Sequence, residues 1–415
     1  MSESMIETTE WTWNPWLGCT RISPACDHCH AGYYEDGRFR RLGRCCTALE
    51  CEATRPRRSR PTPPPKGEPY FFRGPVWQGL RQAQAPMHWK TPRLIFVGSR
   101  TDMFHESIPN EQIYAVMTTI RCCPQHTFQL LTKRPDVALE YFKWEERTYP
   151  REVKQHPLPN VWFGVTVEDQ PRADIRIPLL VKLRKYAALT YMYSEPMLGP
   201  IKFCDIPPPT DMFCPACDAF FDSPEDWLSP CCHASVKDVM PDDDNKILCP
   251  ECNERFECDE EKIECPECGE FGGGYYLEPE YCSVIDDELL GHGMMPDWVV
   301  TGSETARPRK LARATHPDWV RSMRDQCADA GVLFFHKSWG EWWPMYGGGM
   351  PIDMPISDGT LAKYPYTWVD QATGKMTDSG CEPDALMICI GKKHAGQLLD
   401  GEIHDAMPTV WTQAK

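Results

Sequence analysis

Short apolar runs recur along the chain, each ending in small or polar residues: "RLIFVGSRTD" (93–102), "TFQLLTKR" (127–134), "VWFGVTVED" (161–169), "AALTYMYSEP" (187–196), "DWVVTGSET" (297–305) and "GVLFFHKSWG" (331–340). They are rich in β-branched and aromatic residues and apolar nearly throughout, the pattern of strands buried on both faces. Helix-like segments fall between them. "PNEQIYAVMTTIRCC", "PDVALEYFKWEE" and "RADIRIPLLVKLRK" follow the first three runs, and "HPDWVRSMRDQCADAG" precedes the last, closing with Gly331 where a helix C-terminus wants glycine. Strand–helix alternation predicts a parallel sheet built from βαβ units. With an N-terminal strand near Trp11–Leu17, about seven parallel strands result, enough for a partial or complete TIM-type barrel. An open doubly wound sheet is the competing arrangement, but no G-x-G-x-x-G follows any strand.

Breaks in the rhythm set the organisation. Residues 38–75 are rich in proline and arginine and read as a surface insertion in the first part of the barrel, 1–203. "DIPPPTD" (205–211) opens a second insertion, 204–285, and the last strands and helices plus a C-terminal segment occupy 286–415. No run of apolar residues reaches membrane-spanning length, and the polar, acidic start "MSESMIETTE" is unlike a secretory signal, so a cytoplasmic protein is expected.

In a parallel barrel the C-terminal strand ends converge on one mouth, where sites form. Polar residues gather there: Ser99, Thr101, Asp102 and His105; Lys133 and Arg134; Thr166, Glu168 and Asp169; Ser194 and Glu195; Ser303 and Glu304; Lys337. Any one of them can merely end a strand; six strands ending alike point to a site. The net charge of −16 argues against binding nucleic acid through bulk charge, yet "RFRRLGRCCTALECEATRPRRSR" concentrates arginine and can meet phosphates locally.

The chain holds 22 cysteines, many in C-x-x-C pairs, which in a reducing compartment predicts metal ligation rather than disulfides. Cys249 and Cys252 with Cys265 and Cys268 have the spacing of a tetrahedral zinc ribbon; Cys214, Cys217, Cys231 and Cys232, with His233 as a substitute ligand, form a weaker second set. The acidic dressing of the first set disfavours phosphate, so one or two structural zinc ions are expected. A third group, Cys19, Cys26 and Cys29 in "GCTRISPACDHCHAGYY", follows the first strand and lies on the first loop of the mouth. Three thiolates can ligate three corners of a [4Fe–4S] cube and leave one iron open; zinc would need a fourth ligand, such as His28 or His30. Spacing alone does not decide between them.

"EWTWNPWLGCTRISPACDHCHA", "LIFVGSRTDMFHE", "PQHTFQLLTKRP", "LPNVWFGVTVEDQ", "YSEPMLGPI", "DWVVTGSET", "HPDWVRSMRDQC", "FFHKSWGEW" and the closing "IGKKHAGQLLDGEIHDAMP" occur in order. Together they resemble a family of bacteriophage and prophage proteins named for their three-cysteine motif. That motif is similar to the one in radical S-adenosylmethionine enzymes, spore photoproduct lyase among them, with a longer first gap. The resemblance implies a partial barrel, a [4Fe–4S] cluster on Cys19, Cys26 and Cys29, and a partner protein encoded nearby. It also implies S-adenosylmethionine as cofactor, with Ser99, Thr101, Asp102, Thr166, Ser303 and Glu304 as its candidate binders. Lys133, Glu168, Glu195 and Lys337 are the candidate catalytic residues, and a nucleobase or nucleotide is the expected substrate. The alternative is a non-enzymatic zinc-binding protein that docks nucleic acid or a partner. A metal-assisted hydrolase using Asp102, His105 and Glu168 lacks an H-E-x-x-H helix.

Overall fold

A computed structural model describes residues 2–3, 6–29, 31, 74–150, 156–206, 295–306, 308–345, 364–381 and 383–408, with four short strands between 212 and 257. The chain divides into two units, Met1–Phe203 with Pro296–Lys415, and Cys204–Met295.

The first unit is built on seven parallel strands: β1 (Trp11–Trp13), β2 (Leu94–Val97), β3 (Thr127–Thr132), β4 (Leu158–Thr166), β5 (Ala187–Ser194), β6 (Trp298–Thr301) and β7 (Leu333–His336). Each pairs with the next in chain order. A doubly wound sheet reverses its strand order at a switch point; this one never does, and it curls into a half-barrel. Strands β2 and β6 are buried at every residue, which explains their unbroken apolar sequence. Ser2–Glu3 adds antiparallel to the free edge of β1.

Helices α1 (Asn110–Arg121), α2 (Pro135–Thr148), α3 (Gln170–Leu183) and α4 (Pro317–Asp329) are the expected crossovers. Pro135 and Pro317 start their helices, where the missing N–H costs nothing. Asp169 caps α3 by accepting from the Arg172 N–H at 3.2 Å, and Gly331, at φ +66°, follows the end of α4. The convex layer is aromatic: Phe163 of β4 lies between Phe104 and Phe142, at 5.6 and 6.2 Å between ring centres. On the opposite face Leu94, Trp162, Tyr191, Tyr193, Trp298, Val300 and Phe335 form one core cluster. Both ends of the chain cover this concave side. The Thr8 carbonyl accepts from Gln129 Nε2 at 3.1 Å, and the Thr8 hydroxyl bonds the Tyr193 hydroxyl. The Ala406 carbonyl accepts from Trp298 Nε1 at 3.0 Å, while the His336 N–H donates to the His404 carbonyl along the β7 edge. Gly164 lets strand β4 accept the Tyr191 ring: a Cβ there would stand 2.5 Å from it.

Two features differ from the sequence expectation. The strand expected over Trp11–Leu17 breaks at Asn14–Pro15, since Pro15 has no N–H to donate; Trp16–Leu17 instead pairs antiparallel with Val76–Trp77. After β7 the chain forms a small antiparallel sheet that the pattern did not announce. Its strands are β8 (Trp342–Pro344), β9 (Tyr366–Val369), β10 (Met376–Thr377) and β11 (Ala385–Cys389), in the order β8–β11–β9–β10.

Within the second unit Met212–Phe213 pairs with Phe220–Phe221, and Lys246–Leu248 with Arg255–Glu257, both antiparallel. The C-x-x-C stretches 214–217 and 249–252 fall in sequence between the partners of each pair. Cys214, Cys217, Cys231, Cys232, Cys249, Cys252, Cys265 and Cys268 lie outside the described residues, as does nearly all of the 38–75 insertion. Among the described residues no helix is long and apolar enough to cross a membrane.

Candidate functional site

The loop leaving β1 carries the three cysteines, and neighbouring strand ends fix it. Its entry is tied to the loop after β2. Asn14 Oδ1 accepts from the Arg100 N–H at 2.9 Å and its amide group bonds Ser99. The Gly18 N–H donates to the Arg100 carbonyl at 3.0 Å, and the Thr101 hydroxyl donates to the Gly18 carbonyl at 2.7 Å. Gly18 has φ +99°, a conformation that favours glycine just before Cys19.

Beyond Cys19 the anchor is Arg134, at the end of β3 and almost fully buried. Its Nη2 donates to the Thr20 carbonyl (3.2 Å) and hydroxyl (2.9 Å), its Nε to Glu106 (2.7 Å), and its Nη1 to Asp102 (3.2 Å) and Cys19 Sγ (3.9 Å). Asp102 is saturated: Oδ1 accepts from Phe104 N–H and the Thr132 hydroxyl, Oδ2 from Lys133 N–H and Arg134. It therefore joins two strand ends and orients Arg134. His105 Nδ1 accepts from the Ser107 N–H, which leaves Nε2 to donate to the Thr20 hydroxyl at 2.8 Å. Burial, with Arg134 adding, holds that imidazole below its ordinary range.

A second arginine holds the far side. Arg313 Nη2 donates to the Pro24 carbonyl at 2.8 Å and Nη1 to Asp27 at 3.2 Å. Its N–H and Nε reach Glu304 Oε2, which also meets His28 Nδ1 at 2.7 Å. Burial works against the Glu304 charge, yet Arg313 and His28 keep its carboxyl below the ordinary 4.5. The cysteine loop thus sits between two arginine-centred networks, one from the end of β3 and one from the segment after β6.

A family model described as a protein of unknown function, DUF5131, matches residues 3–408. The chain belongs to the DUF5131 family. No curated protein and no solved structure matches it.

In this DUF5131 member the thiols have a definite setting. Cys26 is buried; Cys19 and Cys29 are half-buried. Burial pushes the Cys19 thiol up to about 11, with the charges of Asp102 and Cys26 adding and Arg134 opposing. Among the described residues no three His, Cys, Asp or Glu side chains converge as a ready site for a metal ion. His28, the described candidate for a fourth zinc ligand, commits Nδ1 to Glu304. The donors described on this short loop, at the C-terminal ends of the parallel strands, are the three thiols of Cys19, Cys26 and Cys29.

The other candidates divide into groups. Glu168 is buried; Oε2 accepts from Arg176 at 2.9 Å, while Oε1, 3.9 Å from Arg172 Nε, accepts no hydrogen bond among the described residues. The Thr166 carbonyl takes the same Arg176 at 2.7 Å. Ser303 is buried with its hydroxyl unpartnered among the described residues, as is Ser194. Glu195 and Lys337 pair at 2.8 Å, two residues beyond Tyr193 and Phe335 on the concave face, with Glu7 3.7 Å from Lys337 Nζ. Burial would lower the Lys337 ammonium, but Glu195, Tyr193 and Glu7 outweigh it and raise it well above its usual range. Lys133 is half-buried and contributes its N–H to Asp102. The residues missed by sequence reasoning are Asn14, Arg134 as an anchor, and Arg313. Arg134 stood beside Lys133 with nothing local to rank the two; Arg313 lies in a loop without periodicity.

Proposed function

We propose that this protein is an iron–sulfur enzyme of the radical S-adenosylmethionine type, with a [4Fe–4S] cluster held by Cys19, Cys26 and Cys29. The observation that carries this reading is the clamped three-thiol loop at the C-terminal mouth of a parallel half-barrel. A cluster with one open iron and S-adenosylmethionine supply one-electron cleavage chemistry and, through it, hydrogen abstraction from a substrate.

The chain's own residues have separable tasks. Arg134 and Arg313 hold the thiol loop over the mouth. Among the described residues the buried Ser303 hydroxyl and Glu168 Oε1 take no hydrogen bond, Oε1 being paired only loosely with Arg172 at 3.9 Å, so they suit ligand hydroxyl or amine groups. Ser99 and Thr101 shape the loop, and Asp102 acts through Arg134. Lys337, held protonated beside Glu195, and Tyr193, raised to about 12 by burial, donate hydrogen bonds at neutral pH rather than take protons. That wall therefore binds a substrate's polar groups. A nucleobase or nucleotide fits the arginine-rich stretch within 38–60. The C-x-x-C pairs of 204–285 would hold zinc for structure or for docking a partner protein.

The test is anaerobic reconstitution with iron and sulfide, then assay of 5′-deoxyadenosine formation from S-adenosylmethionine and dithionite, with and without nucleic acid. The expected result is a brown protein that forms the product, and a colourless Cys19→Ala/Cys26→Ala/Cys29→Ala variant that does not. A wild type that retains zinc alone and takes up no iron would favour a zinc-dependent docking protein instead.

A further inference from the structure

The N-terminal segment brings a carboxylate to the Lys337 wall. Residues 6–9 form a turn, closed by the Thr9 N–H on the Ile6 carbonyl at 3.1 Å. The turn is fixed on one side: Thr8 bonds Tyr193 and Gln129, and the Thr9 hydroxyl donates to the Leu94 carbonyl at 3.2 Å. Glu7, at its tip, meets two ammonium groups, Lys392 Nζ at 3.3 Å and Lys337 Nζ at 3.7 Å. They come from separate elements, the short helix Lys392–Ala395 and the loop leaving β7. Lys337 is set in place by Glu195 at 2.8 Å, whose stem crosses bare Gly302: a Cβ there would stand 3.1 Å from Glu195 Cγ. Glu341, another acid beside Lys392, accepts its backbone N–H at 3.3 Å and pairs with Arg309 at 3.4 Å. Burial opposes the Glu7 charge, yet Lys337, a backbone hydrogen bond and Lys392 keep its carboxyl below the ordinary 4.5.

We infer that Lys337 and Lys392 form an anion subsite at the concave mouth, for phosphate or a phosphate monoester, and that the Glu7 carboxylate stands in the ligand's place. The inference rests on the reading of this wall as part of a ligand site, and not on the cluster. The side chains of Glu7 and Lys392 are 38% and 42% exposed, and ion pairs so placed are weak and exchange readily with solvent. Glu7 can therefore swing to water while Thr8 and Thr9 keep the turn where it is. Its departure leaves Lys337 and Lys392 facing Glu195 alone, with one net positive charge. A phosphate group spans two ammonium groups with two oxygens, as the Glu7 carboxylate does, and brings nearly twice the charge. It can thus replace Glu7, where a ligand carboxylate would merely match it.

The test uses the full-length protein as purified, titrated at neutral pH with inorganic phosphate and with ribose 5-phosphate, and followed by phosphorus NMR. The expected result is that Glu7→Gln binds phosphate about three- to ten-fold more tightly than the wild type, the loss of one or two weak competing ion pairs. Lys392→Ala in the Glu7→Gln background should remove that gain. Tighter binding of ribose 5-phosphate than of phosphate assigns the subsite to a monoester; equal binding assigns it to the free anion. Unchanged phosphate affinity in Glu7→Gln, or a gain that survives Lys392→Ala, overturns the inference. Both substituted side chains are part-exposed, so neither change leaves a buried charge unpaired. A protein that binds phosphate in this pattern but takes up no iron on reconstitution keeps the subsite and removes the cluster reading. One that loads iron while Glu7→Gln leaves phosphate affinity unchanged does the reverse.

Discussion

Replacing Glu304 by Gln should loosen the cysteine loop without unfolding the barrel. Glu304 is 4% exposed and ties His28 to Arg313, which in turn holds Pro24 and Asp27. Breaking a buried ion pair costs about 3–5 kcal/mol. Two features reduce that here: Gln retains one acceptor oxygen, and Arg313 is part-exposed and keeps its Pro24 and Asp27 contacts. About 2 kcal/mol remains as the loss in local stability. At 1.4 kcal/mol per decade, the loop should open about 30-fold more often. Hydrogen exchange read by mass spectrometry on a peptide covering 19–29 reports this directly, because the Cys26 and Asp27 amides donate to the Ser23 and Pro24 carbonyls in the closed loop. Peptides from β3 and β4 serve as the unaffected reference. Faster exchange confined to the loop is the expected result; unchanged exchange there, in a variant shown to carry the substitution, refutes the clamp. The wild type has a matching pH dependence. The carboxyl of Glu304 lies below 4.5 when folded, so the tie is complete above that value and is lost as pH falls beneath it through the folded value.

Further expectations follow from the packing. His336 is fully buried and pushed down to about 3 by burial, with His404 adding, so the folded protein excludes a proton that the unfolded chain binds below 6.5. Stability should therefore fall by about 5 kcal/mol as pH drops from 6.5 to about 3, and His336→Gln should flatten that slope in denaturant titrations; an unaltered slope would contradict the assignment. Gly164→Ala should destabilise by about 1–3 kcal/mol through contact with the Tyr191 ring, read as a lower Tm, and Tyr191→Ala should relieve most of that added cost in the double variant. Cys249→Ala should release zinc while leaving the iron content of the reconstituted protein unchanged, measured by elemental analysis.

Much of the fold was legible in the chain's pattern. A strand buried on both faces must be apolar throughout, and a helix on one face must show its stripe, so the seven parallel strands and four crossovers announced themselves. Where a single helix makes the crossover, as between β2 and β3, β3 and β4, β4 and β5, and β6 and β7, the short connection also sets neighbouring strands side by side. Pro15 ended the first strand early for a reason written in its own chemistry. The antiparallel sheet after β7 escaped notice because its strands are short and separated by glycine-rich sequence.

The placement of the cysteines on the first loop of the mouth was a property of the sequence, since the loop follows a strand whose direction the pattern determines. What holds that loop was not. Periodicity records which side of an element is buried, and says nothing of which distant group meets it there. His28 meets Glu304, and Arg313 meets Pro24, across well over two hundred residues of chain. Lys133 and Arg134 are neighbours of like charge, yet only the turn of β3 into α2 sends the guanidinium to Cys19 and Thr20. Long-range pairing of charges depends on where the curled sheet brings its strand ends, and that is decided by the fold as a whole.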